Sequence, residues 1–227
     1  MIISKIAQRI QSDYSHGVQS EDSRLSYRHI YNKMVTVRAR LLSQQAKKNQ
    51  MVNHWNFQTL DCIELIVVSS SMAPCVAPEG HIILKSKQKI PTPLSDFNKH
   101  LMNFSTLDGY KTFDILQWQD VKYRGGTKYI AKRPFIFILN GYLYLVFNRT
   151  IDGIAMTAVF GDPIEAQNFP CFCCNTANEY DCIPYYDRDF PIDEELIEAL
   201  VEISREELVK EFTATKADDI SNAKEDK

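Results

Sequence analysis

The stretch FIFILNGYLYLVF, at residues 135–147, constrains the fold more than any other part of the chain. Two runs of aromatic and aliphatic residues flank Asn140-Gly141. This dipeptide favours the type I′ turn, whose twist matches a pair of antiparallel strands. Because an isolated hairpin is only marginally stable in water, further strands must lie beside it. The sequence therefore predicts an antiparallel sheet.

Strand signals continue on both sides of this hairpin, over residues 58–160. The segment FQTLDCIELIVVS (57–69) is rich in β-branched and apolar residues, and HIILKSKQKI (81–90) shows some alternation. Around residues 95–104 we predict a short helix. We further predict strands at 116–123, 127–134 and 154–160, with turns at 77–80, 124–126 and 152–153. The central part of the chain is thus expected to contain several hairpins.

Helical patterns occupy both ends of the chain. Residues 1–13 place isoleucines at helical spacing, and residues 20–50 predict a helix of about 28 residues without a glycine or proline. The apolar stripe of this long helix is Ile30, Met34, Val37 and Leu41. A second strong helix is predicted at 191–213, with its apolar side marked by Ile192, Leu196, Leu200, Ile203 and Phe212. The polar residues that follow are expected to be frayed.

These patterns together predict an α+β fold. N-terminal long helices and a C-terminal helix are expected to pack together, because pairing them would bury the apolar stripe of each. A mainly antiparallel β domain is inserted between them. The predicted organisation is an N-terminal helical region at 1–55, a β domain at 56–162, a Cys- and aromatic-rich connector loop at 163–190, a C-terminal helix at 191–213 and a polar tail at 214–227.

Charge is distributed unevenly along the chain. Residues 1–50 carry nine Lys/Arg and three Asp/Glu, a balance of +6, whereas residues 161–227 carry six and eighteen, a balance of −12. Two interpretations stay open. The acidic end neutralises the basic end within one molecule, or the basic face of one subunit meets the acidic face of a neighbour in a repeating assembly. The second interpretation predicts that reversing Arg38 and Arg40 to Glu weakens assembly.

The window CFCCNTANEYDC, at residues 171–182, holds four of the six cysteines. Its CxC, CC and Cx7C spacings differ from the CxxC pairs of zinc sites, and no histidine lies nearby in the sequence. Disulfides are uncommon in a reducing cytosol. We therefore favour free thiols packed as small apolar groups in a loop suited to an interface, with metal binding and disulfide formation left open. The four cysteines are Cys171, Cys173, Cys174 and Cys182.

Catalytic motifs are absent from the sequence. Residues 125–128 read GGTK but lack the first glycine of a P-loop, and the serines at 69–71 have no GxSxG context. The five histidines are scattered without an HExxH pattern. We therefore predict a non-enzymatic protein with no catalytic, cofactor-binding or metal-binding residues.

Membrane and secretion signals are missing as well. No apolar stretch approaches the roughly 20 residues that a helix needs to cross a bilayer. The first residues, MIISKIAQRIQ, lack the long apolar run and the small-residue cleavage site of a secretory signal. We expect that the protein has no membrane partner and that it is synthesised in a cytosol.

A longer pattern runs through both ends of the chain. Near the N-terminus it consists of Asp22-Ser23-Arg24, Tyr27, Ile30-Tyr31, Val37-Arg38, Leu41-Leu42 and the run QTLDCIEL at 58–65. The C-terminal part reads FPIDEELIEALVEISREELVKEF and is followed by a tail rich in Lys, Asp and Asn. This pattern resembles structural proteins of crAss-like tailed bacteriophages. The resemblance covers both ends well and the β middle only in character.

The resemblance implies a ring protein of the phage neck and tail, between the portal and the tail of the virion. It implies about 12 copies in a closed ring that matches the portal symmetry. The implied partners are other copies, the portal and other neck and tail ring proteins, with DNA passing through the lumen without specific binding. Two alternatives remain. One is a zinc-stabilised interaction module carried by the cysteine window, and the other is a nucleic-acid-binding protein that uses the basic N-terminal helices.

Overall fold

The computed structural model describes residues 1–15, 25–48, 50–69, 75, 80–94, 101–124, 133–173 and 183–222. The chain divides into two compact units. The terminal unit consists of Met1–Gln45 and Ile183–Lys227, and the central unit of Ala46–Cys182. Both ends of the chain therefore build one unit, and a single continuous segment builds the other. The predicted α+β class is confirmed.

Five α-helices form within the described residues. They are α1 (Ile3–Tyr14), α2 (Tyr27–Lys47), α3 (Trp118–Arg124), α4 (Pro163–Gln167) and α5 (Glu194–Asn222). The strands are β1 (Gln58–Val67), β2 (Ile82–Ser86), β3 (Met102–Thr106), β4 (Asp114–Ile115), β5 (Phe135–Leu139), β6 (Tyr142–Phe147) and β7 (Gly153–Ala158). Short 3-10 helices lie at His54–Asn56 and Tyr185–Asp187.

Helix α1 shows how the terminal unit buries its apolar residues. Its N-terminal residues are held by backbone hydrogen bonds, because Ile3 N donates to Arg188 O at 3.0 Å and Phe190 N donates to Met1 O at 2.8 Å. At the other end of α1, the Tyr14 ring meets the Phe212 ring of α5 edge-on, with centroids 5.9 Å apart. The buried side of α1 follows the spacing of one helix face and comprises Ile3, Ile6, Ala7 and Ile10.

Two helices differ in length from the prediction. Helix α2 runs from Tyr27 to Lys47, shorter than the predicted 20–50, although residues 20–24 and 49 lie outside the described residues. Helix α5 continues to Asn222, so the expectation of a frayed tail is wrong for residues 214–222. The physical reason is visible in the sequence, because no glycine or proline interrupts α5.

The central unit is a seven-stranded sheet with the order β3-β7-β1-β2-β6-β5-β4. Its pairings are antiparallel except for β4 with β5. The predicted hairpin is confirmed, since Leu139 pairs with Tyr142 and both turn residues have positive φ, 54° at Asn140 and 78° at Gly141. That combination is the requirement of a type I′ turn.

The sheet closes on itself through the segment that precedes β4. A bridge joins Ser105 of β3 to Thr112, and Phe113 N donates to Phe104 O at 3.0 Å. The outer side of β3 is thereby paired with the segment before β4, which covers an edge that could otherwise pair with another chain. Side chains alternate between an inner face and an outer face. The inner core includes Leu84, Phe104, Ile136, Leu143, Leu145, Met156 and Phe160.

The predicted strand at 116–123 is wrong, because Trp118–Arg124 forms α3. Residues Trp118 and Val121 lie three apart on this helix and belong to the apolar cluster of the outer face. The Trp118 ring packs against Phe137, with centroids 5.3 Å apart. Packing on the sheet therefore overrides the local strand pattern.

The short helix predicted around 95–104 is also wrong where it can be compared. Met102–Thr106 forms β3 and pairs with β7, while residues 95–100 lie outside the described residues. Most of the predicted strand at 127–134 lies outside the described residues as well.

Helix α4 was not predicted from the sequence, although its start carries the residues of a helix N-terminus. An Asp162 carboxylate oxygen accepts a hydrogen bond from Ile164 N at 2.9 Å, and proline occupies the first turn.

Candidate interaction surfaces

A disulfide joins Cys62 of β1 to Cys173 in the loop that follows α4. The two residues are 111 positions apart in sequence, yet their Cα atoms are 5.7 Å apart. Cys62 is buried, whereas Cys173 is exposed. Beside the disulfide, Phe172 N donates to Cys62 O at 3.4 Å. We call residues 169–173 the anchored loop, because these two bonds tie it to the sheet.

An irregularity in β1 accompanies this bond. The pairing of β1 with β7 shifts register between Leu60 and Ile63, so Cys62 lies at the irregular position. Such bulges change the direction of a side chain relative to a regular strand. Gly153 of β7 leaves room for the sulfur, because a Cβ there would lie 3.0 Å from Cys62 Sγ and 3.1 Å from Ile63 O. The register shift in β1 and the glycine in β7 therefore both accommodate the Cys62 side chain.

The free-thiol interpretation of the cysteine window is wrong for two of its members. Cys173 is bonded to Cys62, and Cys171 is also disulfide-bonded. Cys174 and Cys182 lie outside the described residues. Sequence spacing compares cysteines that are close along the chain, so it gave no reason to consider Cys62 as a partner.

Metal binding finds no support in the part of the chain that the structure describes, where no group of three or more His, Cys, Asp or Glu is placed to hold an ion. A cysteine in a disulfide also lacks the thiolate that binds metals. The anchored loop instead presents Phe172, which is 53% exposed, while Phe169 packs against the inner core. An exposed aromatic side chain on a fixed base is typical of an interaction surface.

Several charged residues of the terminal unit form ion pairs with one another. Lys33 Nζ lies 3.7 Å from a Glu207 carboxylate oxygen and 3.1 Å from a Glu211 carboxylate oxygen. Arg40 also pairs with Glu207. The hydrogen bond from Lys33 lowers the pKa of Glu211 below its usual range. Of the two interpretations of the charge asymmetry, neutralisation within one molecule is therefore observed between α2 and α5.

Arg38 does not lie on a solvated basic side of α2. Its side chain is fully buried. Its Nε donates to Pro191 O at 2.7 Å, and its guanidinium carbon lies 5.8 Å from the centroid of the Phe190 ring. Arg28 is exposed, and Arg24 lies outside the described residues. Reversing Arg38 to Glu would therefore damage the terminal unit itself, so that variant cannot serve as a clean test of assembly.

The outer face of the sheet carries an accessible group of lysines beside a tyrosine. Lys85 Nζ of β2 lies 3.8 Å from the centroid of the Tyr142 ring, and Lys89 Nζ lies 6.0 Å from the same centroid. Both are cation–π arrangements. Lys87 pairs with Glu64 at 2.9 Å. We call Lys85, Lys87, Lys89 and Tyr142 the lysine–tyrosine face.

Comparison with known proteins identifies a matching family. Residues 5–227 match the family described as phage tail ring protein 2. The chain belongs to the phage tail ring protein 2 family. It is also 28% identical over 221 residues to "Ring protein 2" of Bacteroides phage crAss001, an alignment that covers 92% of this chain and 91% of that protein.

Membership in the phage tail ring protein 2 family confirms the resemblance to structural proteins of crAss-like phages. The family match includes the β middle, where the sequence resemblance was only general. The chain is accordingly a phage structural ring protein. Among the described helices of this family member, none has the length and apolar character required to cross a membrane.

Proposed function

We propose that this chain is a non-enzymatic virion protein that forms an oligomeric ring in the neck and tail and connects the portal to the tail of a tailed bacteriophage. The observation that carries the proposal is the family match over residues 5–227, which includes both units of the fold. In a ring of identical subunits each copy presents two different surfaces to its two neighbours. The function then lies in surfaces rather than in a reaction centre.

The domain organisation gives each region a role in this ring. The helical regions at 1–55 and 191–213 form the scaffold, and the β domain at 56–162 carries the contacts to the next ring. The connector at 163–190 includes the anchored loop, whose disulfide restricts its motion. A restricted loop loses less conformational entropy when a partner covers Phe172, and this supports a role in docking.

The proposed partners are copies of this chain, the portal and other neck and tail ring proteins. The resemblance to neck and tail ring proteins of crAss-like phages implies about 12 copies, in a closed ring that matches the portal symmetry. Packaged DNA passes through the lumen without specific binding, and no membrane takes part. The protein is made in the cytoplasm of the host bacterium and ends in the virion.

The two alternatives have less support. A basic-helix nucleic-acid-binding protein needs available cations on α2, but Lys33 and Arg40 already pair with glutamates and Arg38 is buried. A zinc-stabilised module needs thiolates, but Cys171 and Cys173 are in disulfides. The ring function agrees with both observations.

Localisation in the particle tests the proposal. Purified virions are imaged after labelling with an antibody against this chain, and the number of copies per portal subunit is measured by quantitative mass spectrometry. We expect label between the portal and the tail and one copy per portal subunit. A particle preparation that lacks the chain, although infected cells contain it, would exclude a virion role. Label on the capsid or at the distal tail would exclude the connecting position.

A further inference from the structure

The lysine–tyrosine face is bordered by apolar residues that the fold leaves accessible. On the outer face of the sheet, α3 covers the side of Phe137 through Trp118. On the other side, Ile66 is the register partner of Lys85, so its side chain lies on the same face of the sheet, and it is 45% exposed. Cation–π contacts fix lysines at the surface while leaving their charge available. The area combines positive charge with exposed aliphatic carbon.

The lysine–tyrosine face keeps a positive charge after the ion pair within it is taken into account. Among the described residues of this area, Glu64 is the carboxylate that Lys87 contacts, which leaves the charges of Lys85 and Lys89 in excess. A partner that fits must offer carboxylates or phosphates. Because Ile66 lies within the area, the partner must also offer apolar contact, which a nucleic-acid backbone does not provide.

Helix α5 carries the complementary pattern on its exposed side. Glu195 and Glu202 are exposed and lie seven residues apart, which is two helical turns and about 10 Å on the same side. Val209 lies a further seven residues along and is 43% exposed. Between them, Glu198 pairs with Arg9 and Glu206 with Lys210 at the surface. The helix thus combines an acidic row with an exposed aliphatic residue.

We infer that the lysine–tyrosine face of one subunit receives the exposed acidic side of α5 from a second copy of this chain. This inference rests on the proposed ring function and names the contact that repeats around the ring. The occupant is a second copy because the chain itself supplies the matching charge and the matching apolar residue. Since the two surfaces differ, the contact is heterologous and suits a closed ring.

The test exchanges charges between the two surfaces of the full-length chain. One variant carries Lys85→Glu and Lys89→Glu, a second carries Glu195→Lys and Glu202→Lys, and a third carries all four changes. Self-association is measured by sedimentation velocity over a concentration series. We expect each two-residue variant to associate roughly tenfold or more weakly than wild type, because attraction becomes repulsion. The four-residue variant is expected to recover.

Mixing the two two-residue variants distinguishes a contact between copies from a contact within one chain. In an equimolar mixture of the two-residue variants, each intact lysine–tyrosine face meets an intact α5 from the other variant. Association is therefore expected to return in the mixture. Recovery in the four-residue variant without recovery in the mixture would overturn the inference. A variant with Lys5→Glu and Lys48→Glu changes charge equally at other exposed lysines and is expected to associate like wild type.

Three other outcomes also overturn the inference. They are a wild-type chain that stays monomeric, equal association of all variants, and a Lys85/Lys89 variant that loses binding to a short DNA duplex while its self-association is unchanged. Thermal unfolding of every variant verifies folding, and the α5 variant tests the same contact from the helix side. Localisation in virions is measured independently, so failure of this contact leaves the proposed ring function standing.

Discussion

The two units of this protein are stabilised by different residues. In the central unit the inner core is apolar and receives side chains from β1, β2, β3, β5, β6 and β7. In the terminal unit an apolar contact between helices is accompanied by a buried arginine and by ion pairs that include Arg9 with Glu198 at 2.6 Å. The central unit combines its apolar core with a disulfide, and the terminal unit combines apolar burial with a buried arginine and ion pairs.

This difference explains the charge asymmetry of the sequence. The basic N-terminal helices and the acidic C-terminal helix belong to one unit, so opposite charges at the two ends of the chain become neighbours after folding. Exposed ion pairs contribute little stability, typically about 0–1 kcal/mol each. We therefore expect apolar burial to stabilise both units and the charges mainly to determine which helices pair.

The largest effect is expected from the inner core of the central unit. Replacing Phe104, which is fully buried, by Ala should lower the free energy of unfolding by roughly 3–5 kcal/mol. Trp55 and Trp118 both lie in the central unit, so their fluorescence during urea unfolding reports this unit. Tyr110→Ala serves as the control, because Tyr110 is 92% exposed. Equal losses in both variants would contradict a core role for Phe104.

Removing the disulfide should have the next largest effect. The bond closes a loop with a sequence separation of 111, so replacing both Cys62 and Cys173 by Ala should destabilise the central unit by roughly 2–5 kcal/mol. Tryptophan fluorescence during urea unfolding measures this loss. Adding a reductant to the wild-type protein should reproduce the direction of the change. Cys75→Ala is the control, since Cys75 is a free thiol. A wild-type transition that a reductant leaves unchanged would rule out a stabilising disulfide.

Two arginines of α2, Arg38 and Arg40, allow a buried cation to be compared with an exposed one within the terminal unit. Arg38→Ala removes a buried charged hydrogen bond to Pro191 O and should cost roughly 2–3 kcal/mol. Arg40→Ala removes a surface ion pair with Glu207 and should cost about 0–1 kcal/mol. Both variants lose one positive charge from the same helix. Helical circular dichroism during urea unfolding measures the difference, and equal costs would show that burial of Arg38 contributes nothing.

Local sequence signals predicted the local parts of the fold. Asn140-Gly141 specified its turn because the required positive φ is a property of those two residues. The strand Met102–Thr106 was missed because its pairing with β7 joins segments about 50 residues apart. Cys62 was missed as a disulfide partner for the same reason. Helical periodicity located α2 but did not show that Arg38 would be enclosed by residues that follow far later in the chain.

The smallest predicted effect concerns protonation in each unit. Lys33→Met should raise the pKa of Glu211, because the hydrogen bond from Lys33 is the main cause of its lowered value. Thr106→Val should raise the pKa of Asp108 in the central unit, whose carboxylate accepts a hydrogen bond from the Thr106 hydroxyl. Each variant is the control for the other. NMR titration of the side-chain carboxyl signals measures both values, and a change at both residues in either variant would contradict two separate causes.

The direction of the stability change follows from these lowered pKa values. A carboxyl group with a lower pKa in the folded protein stabilises it above its ordinary pKa, 4.5 for Glu211, and loses that contribution as the pH falls through the lowered value. Lys33→Met should therefore reduce the difference in stability between neutral and acidic pH. The central unit should show the corresponding change only with Thr106→Val. Monitoring helical circular dichroism and tryptophan fluorescence in the same acid titration separates the two contributions, because the two tryptophans lie in the central unit and the helices α1 and α5 lie in the terminal unit.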